Sequence, residues 1–410
     1  MNTLGLPMIA GAGPVGLGAA LFLARLGHAT RVIEERHEPA RESKALAVNP
    51  RTLEILEATG VTERMLAFGL PIRGALLHRG EKVVAHLSFE GLHPKYPYML
   101  ALSQATTERL LAQALEAAGG SVERGVRLVA CRNQNDSVEA TLESTEGNAR
   151  AVVACPWLLA ADGAHSTARA TLGVAFPGSS FPDEWHLADV PLRTALAADH
   201  AHAFLTDDGF LFLIRMVDPA LADQPAPLWR IIGNRPQPLT CLLQAEVVGA
   251  PVWVSSFRIS HRLNSTLAEG RVYFAGDSGH VHSPMGARGM NLGLEDAWVF
   301  ATLVHAGQLE RYDSLWRAVD HSVVRQVELL SRIVNGGSWL TRFARSALLP
   351  AALRLPSIRR RMIWTLSGLD HPLPADLLNL AQIMQQGERR GVCPPADRSA
   401  KLRRAARPVA

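Results

Sequence analysis

The chain has 410 residues, 48% of them hydrophobic and 20% charged, with a formal net charge of +4. This balance suits a soluble globular protein of about two or three domains at the usual ~150 residues each. With no run of ~18 uncharged apolar residues it excludes a spanning helix. The N-terminus lacks a basic start, an apolar run and a small-residue cleavage site, so a cytoplasmic location is expected. Cys131, Cys155, Cys241 and Cys393 are widely spaced. No pair has metal or redox spacing, which reads as free thiols in a reducing compartment. The excess of basic residues lies toward the C-terminus, at Arg359, Arg360, Arg361, Arg389, Arg390, Lys401, Arg403, Arg404 and Arg407. Without aromatic interleaving this is read as a solvated tail or helix face, and no nucleic acid is expected as partner.

Leu6 to Ala10 is a short apolar run, followed by Gly11-Ala12-Gly13-Pro14-Val15-Gly16. The next stretch, roughly Val15 to Leu26, is apolar nearly all round and reads as a buried helix ended by Gly27. Thr30 to Ile33 reads as a second strand closing with Glu34, a βαβ start of the expected length. Residues 49–68 look helical, with Asn49-Pro50 as cap and first turn. Two alternating runs, 74–78 and 82–89, flank Arg79-Gly80 as a hairpin. A helix is expected over 104–118. Strands follow at Val126 to Val129, Val138 to Ser144 and Ala149 to Ala160, the last two joined at Glu146-Gly147-Asn148. Between 178 and 256 the pattern is antiparallel: Phe204-Leu205, a turn at Asp207-Asp208-Gly209, Phe210 to Met216, then Leu228 to Gly233 and Val252 to Phe257. From Arg271 the first domain returns, with a strand at Val272 to Ala275 and a helix from near Met290. After about 336 the chain reads as helical with prolines.

The expected fold is α/β. A Rossmann-like, glutathione reductase-type βαβ domain spans 1–75, 98–177 and 256–335. An inserted antiparallel substrate-binding sheet spans 76–97 and 178–255, and a C-terminal helical region with a basic tail spans 336–410.

Gly11-x-Gly13-x-x-Gly16 sits between strand and helix. Its glycines permit a tight turn and let a pyrophosphate approach backbone N–H groups at a helix N-terminus. A carboxylate about 20 residues on accepts ribose hydroxyls, and Glu34 is preferred over its neighbour Glu35 because it ends the apolar strand. The second motif runs Gly276-Asp277-Ser278-Gly279-His280, then Pro284 and Gly286-Ala287-Arg288-Gly289-Met290-Asn291-Leu292-Gly293, then Glu295-Asp296-Ala297. An aspartate at a strand end can grip a polyol, and a helix starting near Met290 aims its positive end at whatever lies above it.

These motifs resemble those of the class A flavoprotein monooxygenases, the aromatic hydroxylases typified by para-hydroxybenzoate hydroxylase. Three elements occur in order: the glycine triplet, Ala161-Asp162-Gly163-Ala164-His165-Ser166 with Arg169, and Gly276-Asp277 through Asn291. The likeness covers roughly residues 6–330. It implies non-covalent FAD, with Gly11, Gly13, Pro14, Val15 and Gly16 at the pyrophosphate and Glu34 at the adenosine ribose. It places Gln104 and Asp277 at the ribityl chain or pyrophosphate, and Pro284, Gly286, Gly289, Met290 and Asn291 against the isoalloxazine ring. Asp162 and Gly163 are implied in both FAD and NAD(P)H contact. Lys44 stands where the family often has an arginine, keeping the charge but losing bidentate geometry. His165 and Ala287-Arg288 also depart from the family pattern, as does Ala161 where a cysteine is common.

The implied activity is hydroxylation of a phenolic, quinolone or polycyclic aromatic with O2. NAD(P)H acts as transient reductant, through a flavin C4a-hydroperoxide. The cofactor carries the chemistry, so no side chain is assigned as catalytic; His280, His282 and His202 are the weak candidates, and His280 is read as structural. Metal ligation is not expected. The rivals are a flavin-dependent halogenase or a reductase on the same fold, and a non-catalytic FAD-binding protein. The halogenase Trp-x-Trp-x-Ile-Pro stretch is absent, Trp157, Trp185, Trp229 and Trp253 being isolated. The intact flavin loop argues against loss of catalysis. Phe181, Trp185, Phe204, Phe210, Phe212 and Trp229 suit an aromatic pocket or a plain sheet core. The expected assembly is a monomer or homodimer. For the amphipathic C-terminal region, packing against the flavin domain is preferred over membrane-surface contact.

Overall fold

The structure, a computed structural model, describes residues 4–39, 45–206, 209–221, 223–234, 245–335, 348–374 and 377. Its parallel sheet explains the short, wholly apolar runs of the sequence. Met8–Ala10, Leu158–Ala160 and Val272–Phe274 are buried at every position. Strands covered on both faces have no polar side to show. The sheet order is Ala268–Glu269, Val272–Phe274, Leu158–Ala160, Met8–Ala10, Arg31–Glu34, Val122–Arg124. All pairings are parallel except that of the edge strand Ala268–Glu269. The helices Pro14–Arg25, Gln104–Ala117 and Gly289–Ala306 pack together. A second cluster joins the parallel sheet to an antiparallel sheet of Val126–Asn133, Val138–Ser144 and Arg150–Cys155, through Ala10, Leu128, Val138, Leu142 and Phe274.

Two expected elements divide. The run 149–160 forms Arg150–Cys155 in the antiparallel sheet and Leu158–Ala160 in the parallel one. Pro156 lies at the break and has no N–H to continue a ladder. Residues 49–68 form Pro50–Leu56 and Val61–Phe68, separated at Gly60, whose φ is 75°. Asn49 caps the first of these by accepting the Thr52 amide at 2.8 Å.

A nine-stranded sheet holds the expected hairpins, Gly74–Arg79 with Lys82–Ser88 and His200–Leu205 with Phe210–Arg215. The turn at Asp207-Asp208 lies outside the described residues. The spine of the sheet is the 17-residue strand Gly178–Thr194, which pairs with Leu228–Gly233 on one side and Trp253–Leu263 on the other. Trp253–Leu263 runs past residue 256 and then pairs with His280–Val281, so this sheet reaches into the segment 256–335 read as dinucleotide domain.

Alternation along the strands sorts the aromatic residues. Trp185 and Phe210, with Phe181 and Phe212 beside them, pack with Leu46, Ala47, Met99 and Ala101. Phe204 and Trp229 fill a cluster on the opposite face with Val190, Leu211 and Leu213. The helix Tyr312–Asn335 is an addition to the sequence reading. It buries Tyr312, Trp316, Asp320, Val323, Val327, Ser331 and Val334, spaced three or four residues apart as one helical stripe. The helices Leu349–Ala352 and Pro356–Ser367 follow, the latter closed by Gly368 at φ 76°. Met1–Pro372 makes one compact unit. The basic residues from Arg389 onward lie outside the described residues. Among the described residues no helix is long and apolar enough to cross a membrane.

Trp185 is 1% exposed and Val254 65% exposed. We expect Trp185→Ala to cost about 3–5 kcal/mol in urea denaturation. Val254→Ala should stay within about 0.5 kcal/mol.

Candidate cofactor site

The strands Met8–Ala10, Leu158–Ala160 and Val272–Phe274 end side by side, and each leads into one of the three glycine-bearing loops. The loops fit into one another. Gly11, at φ 100°, leaves no room for a side chain, since a Cβ there would lie 2.3 Å from the Ala161 carbonyl oxygen. A Cβ on Gly16 would lie 1.9 Å from the Gly11 oxygen. Gly276 and Gly293 both crowd Val15, which would meet their Cβ atoms at 2.8 and 2.5 Å. Gly13 is different: a Cβ there has nothing within 4 Å. The outer two glycines of the triplet therefore serve packing, and the middle one keeps the backbone open.

Helix Pro14–Arg25 starts at Gly13 with no side chain capping its first turn. Its unsatisfied N–H groups and positive end are available to an anion. Glu34 is buried at the end of its strand; Glu35 is exposed. The Glu34 carboxylate accepts the Ala12 amide at 2.8 Å and Arg36 Nε at 3.0 Å. Burial pushes its carboxyl up, but these hydrogen bonds outweigh it and hold the group below the usual carboxylate range. Gln104 opens helix Gln104–Ala117 behind its Ser103 cap. Its Oε1 accepts the Ala45 amide at 3.1 Å and its Nε2 donates to Glu108 at 2.8 Å. Lys44 lies outside the described residues.

In the second loop, Asp162 Oδ2 accepts the amides of Thr167 and Ala168 at 2.8 and 3.2 Å, while Oδ1 is buried without a partner. Burial raises its carboxyl despite the hydrogen bonds. Gly163 follows at φ 80°. Arg169 ties this loop to the third one by donating Nη1 to the Ser278 carbonyl at 3.0 Å.

In the third loop Asp277 is exposed at the turn after the strand. Pro284 is exposed, Gly286 and Ala287 take φ of 81° and 52°, and helix Gly289–Ala306 begins with no side-chain cap. Met290 lies in its first turn. Asn291 holds the loop down: its Oδ1 accepts the Asn49 amide at 3.0 Å and its Nδ2 donates to the Ala47 carbonyl at 2.9 Å.

Behind the loop lies a buried charge cluster. Asp296 accepts the Gly276 amide at 2.7 Å, His280 Nε2 at 2.8 Å and Trp316 Nε1 at 2.8 Å. Asp320 Oδ1 lies 3.9 Å from the same His280 nitrogen. Burial disfavours a charged His280, but Asp296 and Asp320 overcome it and raise the imidazole to about 9. Burial and Asp296 push Asp320 well above the usual range. His280, Asp296 and Asp320 are close enough to share a cation. The Asp296 oxygens already take three donors, so the set acts as a hydrogen-bonded hub. His282 Nδ1 donates to the Ser283 carbonyl, 2.9 Å away, and burial drives the imidazole down to about 3, so it is neutral near pH 7.

Of the three histidines weighed for catalysis, His202 does not join the site. It packs against Trp229 and hydrogen-bonds His78 on the sheet face turned away from Trp185 and Phe210.

Sequence reading missed a second buried group. Arg288 has no exposed surface; its guanidinium nitrogens lie 3.6 Å from Glu295 and 3.6 Å from Asp370, and Glu295 accepts or shares a proton with His371 Nε2 at 2.7 Å. The spacing of Arg288 and Glu295, two helical turns apart, was the available signal for this pair. That of Trp316 and Asp320, one turn apart, was the signal for the other.

The uncapped helix ends, the open Gly13 and the buried Glu34 fit a dinucleotide carrying a pyrophosphate and a ribose. Gly13→Ala, at extended backbone angles and in open space, is expected to fold like the parent and to lose at least about tenfold in FAD affinity, about 1.4 kcal/mol. Gly16→Ala is expected to unfold at lower temperature even without cofactor; equal melting of the two variants would contradict this division of roles. His282 also sets an acid limit. Its folded value lies below its unfolded one of about 6.5, so its stabilisation is complete above that pH and is lost as pH falls toward 3. Melting temperature should drop between pH 7 and 4.5, and less steeply in His282→Asn.

A family model described as FAD binding domain matches residues 7–325. The chain is 36% identical over 308 residues to the 6-methylpretetramide 4-monooxygenase of Streptomyces rimosus, an alignment covering 72% of this chain and 54% of that protein. It therefore spans about half the length of that relative. It is 31% identical over 351 residues to the rifampicin monooxygenase of Rhodococcus hoagii, covering 79% of this chain and 71% of that one. Among solved structures, anhydrotetracycline hydroxylase from Streptomyces rimosus superposes with a TM-score of 0.73 at 26% identity, over 90% of this chain and 77% of the other. The p-nitrophenol 4-monooxygenase of Pseudomonas putida shares the fold at a TM-score of 0.78 and 20% identity, over 91% of this chain and all of the other. The chain belongs to the FAD-binding flavoprotein monooxygenases of the aromatic hydroxylase type, with FAD as its cofactor.

Proposed function

We propose that the protein is an NAD(P)H-dependent monooxygenase that uses O2 to hydroxylate a phenolic or polycyclic aromatic substrate. The observation that carries this reading is the wall facing the third loop. Met285 and Ala287 pack into the same apolar set as Trp185, Phe210, Phe212 and Leu205. An aromatic ring bound beside this loop would be enclosed by hydrocarbon and shielded from water. The names of the relatives, on tetracycline-type, rifampicin and nitrophenol compounds, support the substrate class.

When bound, FAD supplies electron transfer from NAD(P)H and the oxygen-transfer chemistry. The chain supplies binding and placement. The amides of Gly13, Val15 and Gly16 would meet the pyrophosphate, Glu34 the ribose, and Gln104 and Asp277 the ribityl chain. The backbone at Pro284, Gly286 and Gly289–Asn291 would hold the flat ring. The uncapped end of helix Gly289–Ala306 would favour negative charge on a ring held there. Asp162 and Gly163 take part in both FAD and NAD(P)H contact, the latter transient. The working form is a cytoplasmic monomer or homodimer.

The test is oxidation of NADPH and of NADH by the FAD-loaded protein, with and without a panel of phenols, quinolones and polycyclic aromatics. We expect one class to stimulate oxidation and to yield a product heavier by one oxygen atom. Oxidation that no compound stimulates, with no oxygenated product, would sink the hydroxylase reading while leaving cofactor and fold in place.

A further inference from the structure

We propose that His86 and His200 form a binding site for a divalent transition-metal ion, with Zn2+ the ion whose geometry they match. The two residues sit on strands Lys82–Ser88 and His200–Leu205, which flank Gly74–Arg79 in the nine-stranded sheet. Their side chains approach each other over Gly74. A Cβ at Gly74 would lie 3.1 Å from His86 Nε2 and 3.2 Å from His200 Cδ2, so the glycine makes the approach possible.

The Nε2 atoms are 3.3 Å apart. Two imidazoles on one tetrahedral Zn2+, with bonds of ~2.05 Å, hold their nitrogens about 3.3 Å apart. A square-planar ion such as Cu2+, with adjacent ligands at similar bond lengths, would need about 2.9 Å. The ring orientation agrees. In the buried pair His78–His202 the nitrogens are 3.0 Å apart and the ring centroids 5.2 Å. In His86–His200 the nitrogens are wider by 0.3 Å (3.3 against 3.0), yet the centroids are again 5.2 Å apart. Rings that hold their centres while their nitrogens separate are bent out of line, as two ligands converging on one ion are.

The surroundings prepare the pair. Asp199 Oδ1 lies 2.8 Å from His200 Nδ1. With the proton on Nδ1, this contact leaves the Nε2 lone pair aimed at His86, and a carboxylate behind a histidine is the usual support of a zinc ligand. His86 is exposed. The Arg359 guanidinium is close enough to act on it electrostatically. With its proton on Nδ1, the neutral ring offers a lone pair at Nε2. Arg73, 3.9 Å from the Asp199 carboxylate, is the other charge nearby. Solvent can complete the coordination, since one ligand is on the surface.

The probe is Zn2+ itself, titrated calorimetrically into chelator-treated, FAD-loaded full chain. We expect one site, accompanied by a rise in melting temperature. His86→Gln and His200→Gln should each abolish both, with FAD absorbance unchanged as evidence of an intact fold. Asp199→Asn should weaken binding about tenfold. A wild-type protein that takes up no Zn2+, or binding that survives in His86→Gln, would overturn the proposal.

Discussion

One buried carboxylate holds the cofactor loop in place. Asp296 is wholly inside the protein, and a bare charge there would cost several kcal/mol. Three donors from three different segments offset that cost: the Gly276 amide after the strand Val272–Phe274, His280 from the nine-stranded sheet, and Trp316 from the helix Tyr312–Asn335. Each donor belongs to an element with a separate task. The turn presents Asp277, the histidine joins the loop to the nine-stranded sheet, and the helix backs the whole assembly. Removing the acceptor would orphan all of them at once, so the geometry of the loop is as stable as this one group is well paired.

Interlocking glycines do the same for the first two loops. Gly11 and Gly16 bring the first glycine turn against Ala161, and Gly276 with Gly293 closes the third loop onto Val15. The site is thus built from contacts between loops, with few side chains pointing outward. This explains why residues important to a flavin enzyme are so often backbone positions here, and why Asn291, whose side chain is spent on Asn49 and Ala47, works by anchoring.

The cofactor domain was legible because its chemistry is local. A strand, a glycine turn, a helix and Glu34 lie within one stretch of chain, and their periodicity and spacing carry the meaning. The antiparallel hairpins were legible for the same reason, through alternation and turn residues. What escaped depends on distant partners. Nothing local says that 149–160 will serve two sheets, although Pro156 marks the place. The aromatic residues of the nine-stranded sheet alternate correctly, but only the neighbouring strands decide that Trp185 and Phe210 share one face while Phe204 and Trp229 share the other. Buried ions such as Arg288 with Glu295 look like surface charge until the segment Gly368–His371 is seen to cover them. His86 and His200 are 114 residues apart and become a pair only through sheet register.

The order of strands in the parallel sheet also has a temporal side. Met8–Ala10 pairs with Leu158–Ala160, which in turn pairs with Val272–Phe274. During synthesis the first phosphate-binding turn emerges early, but the strand that carries Asp277 and the helix that supports it come much later. Until then Leu158–Ala160 has no partner on the side that Val272–Phe274 will take, and long-range pairing of this kind is slow and prone to association with other chains. A nascent chain of this protein should depend on being shielded until Val272–Phe274 and the helix Gly289–Ala306 have left the ribosome.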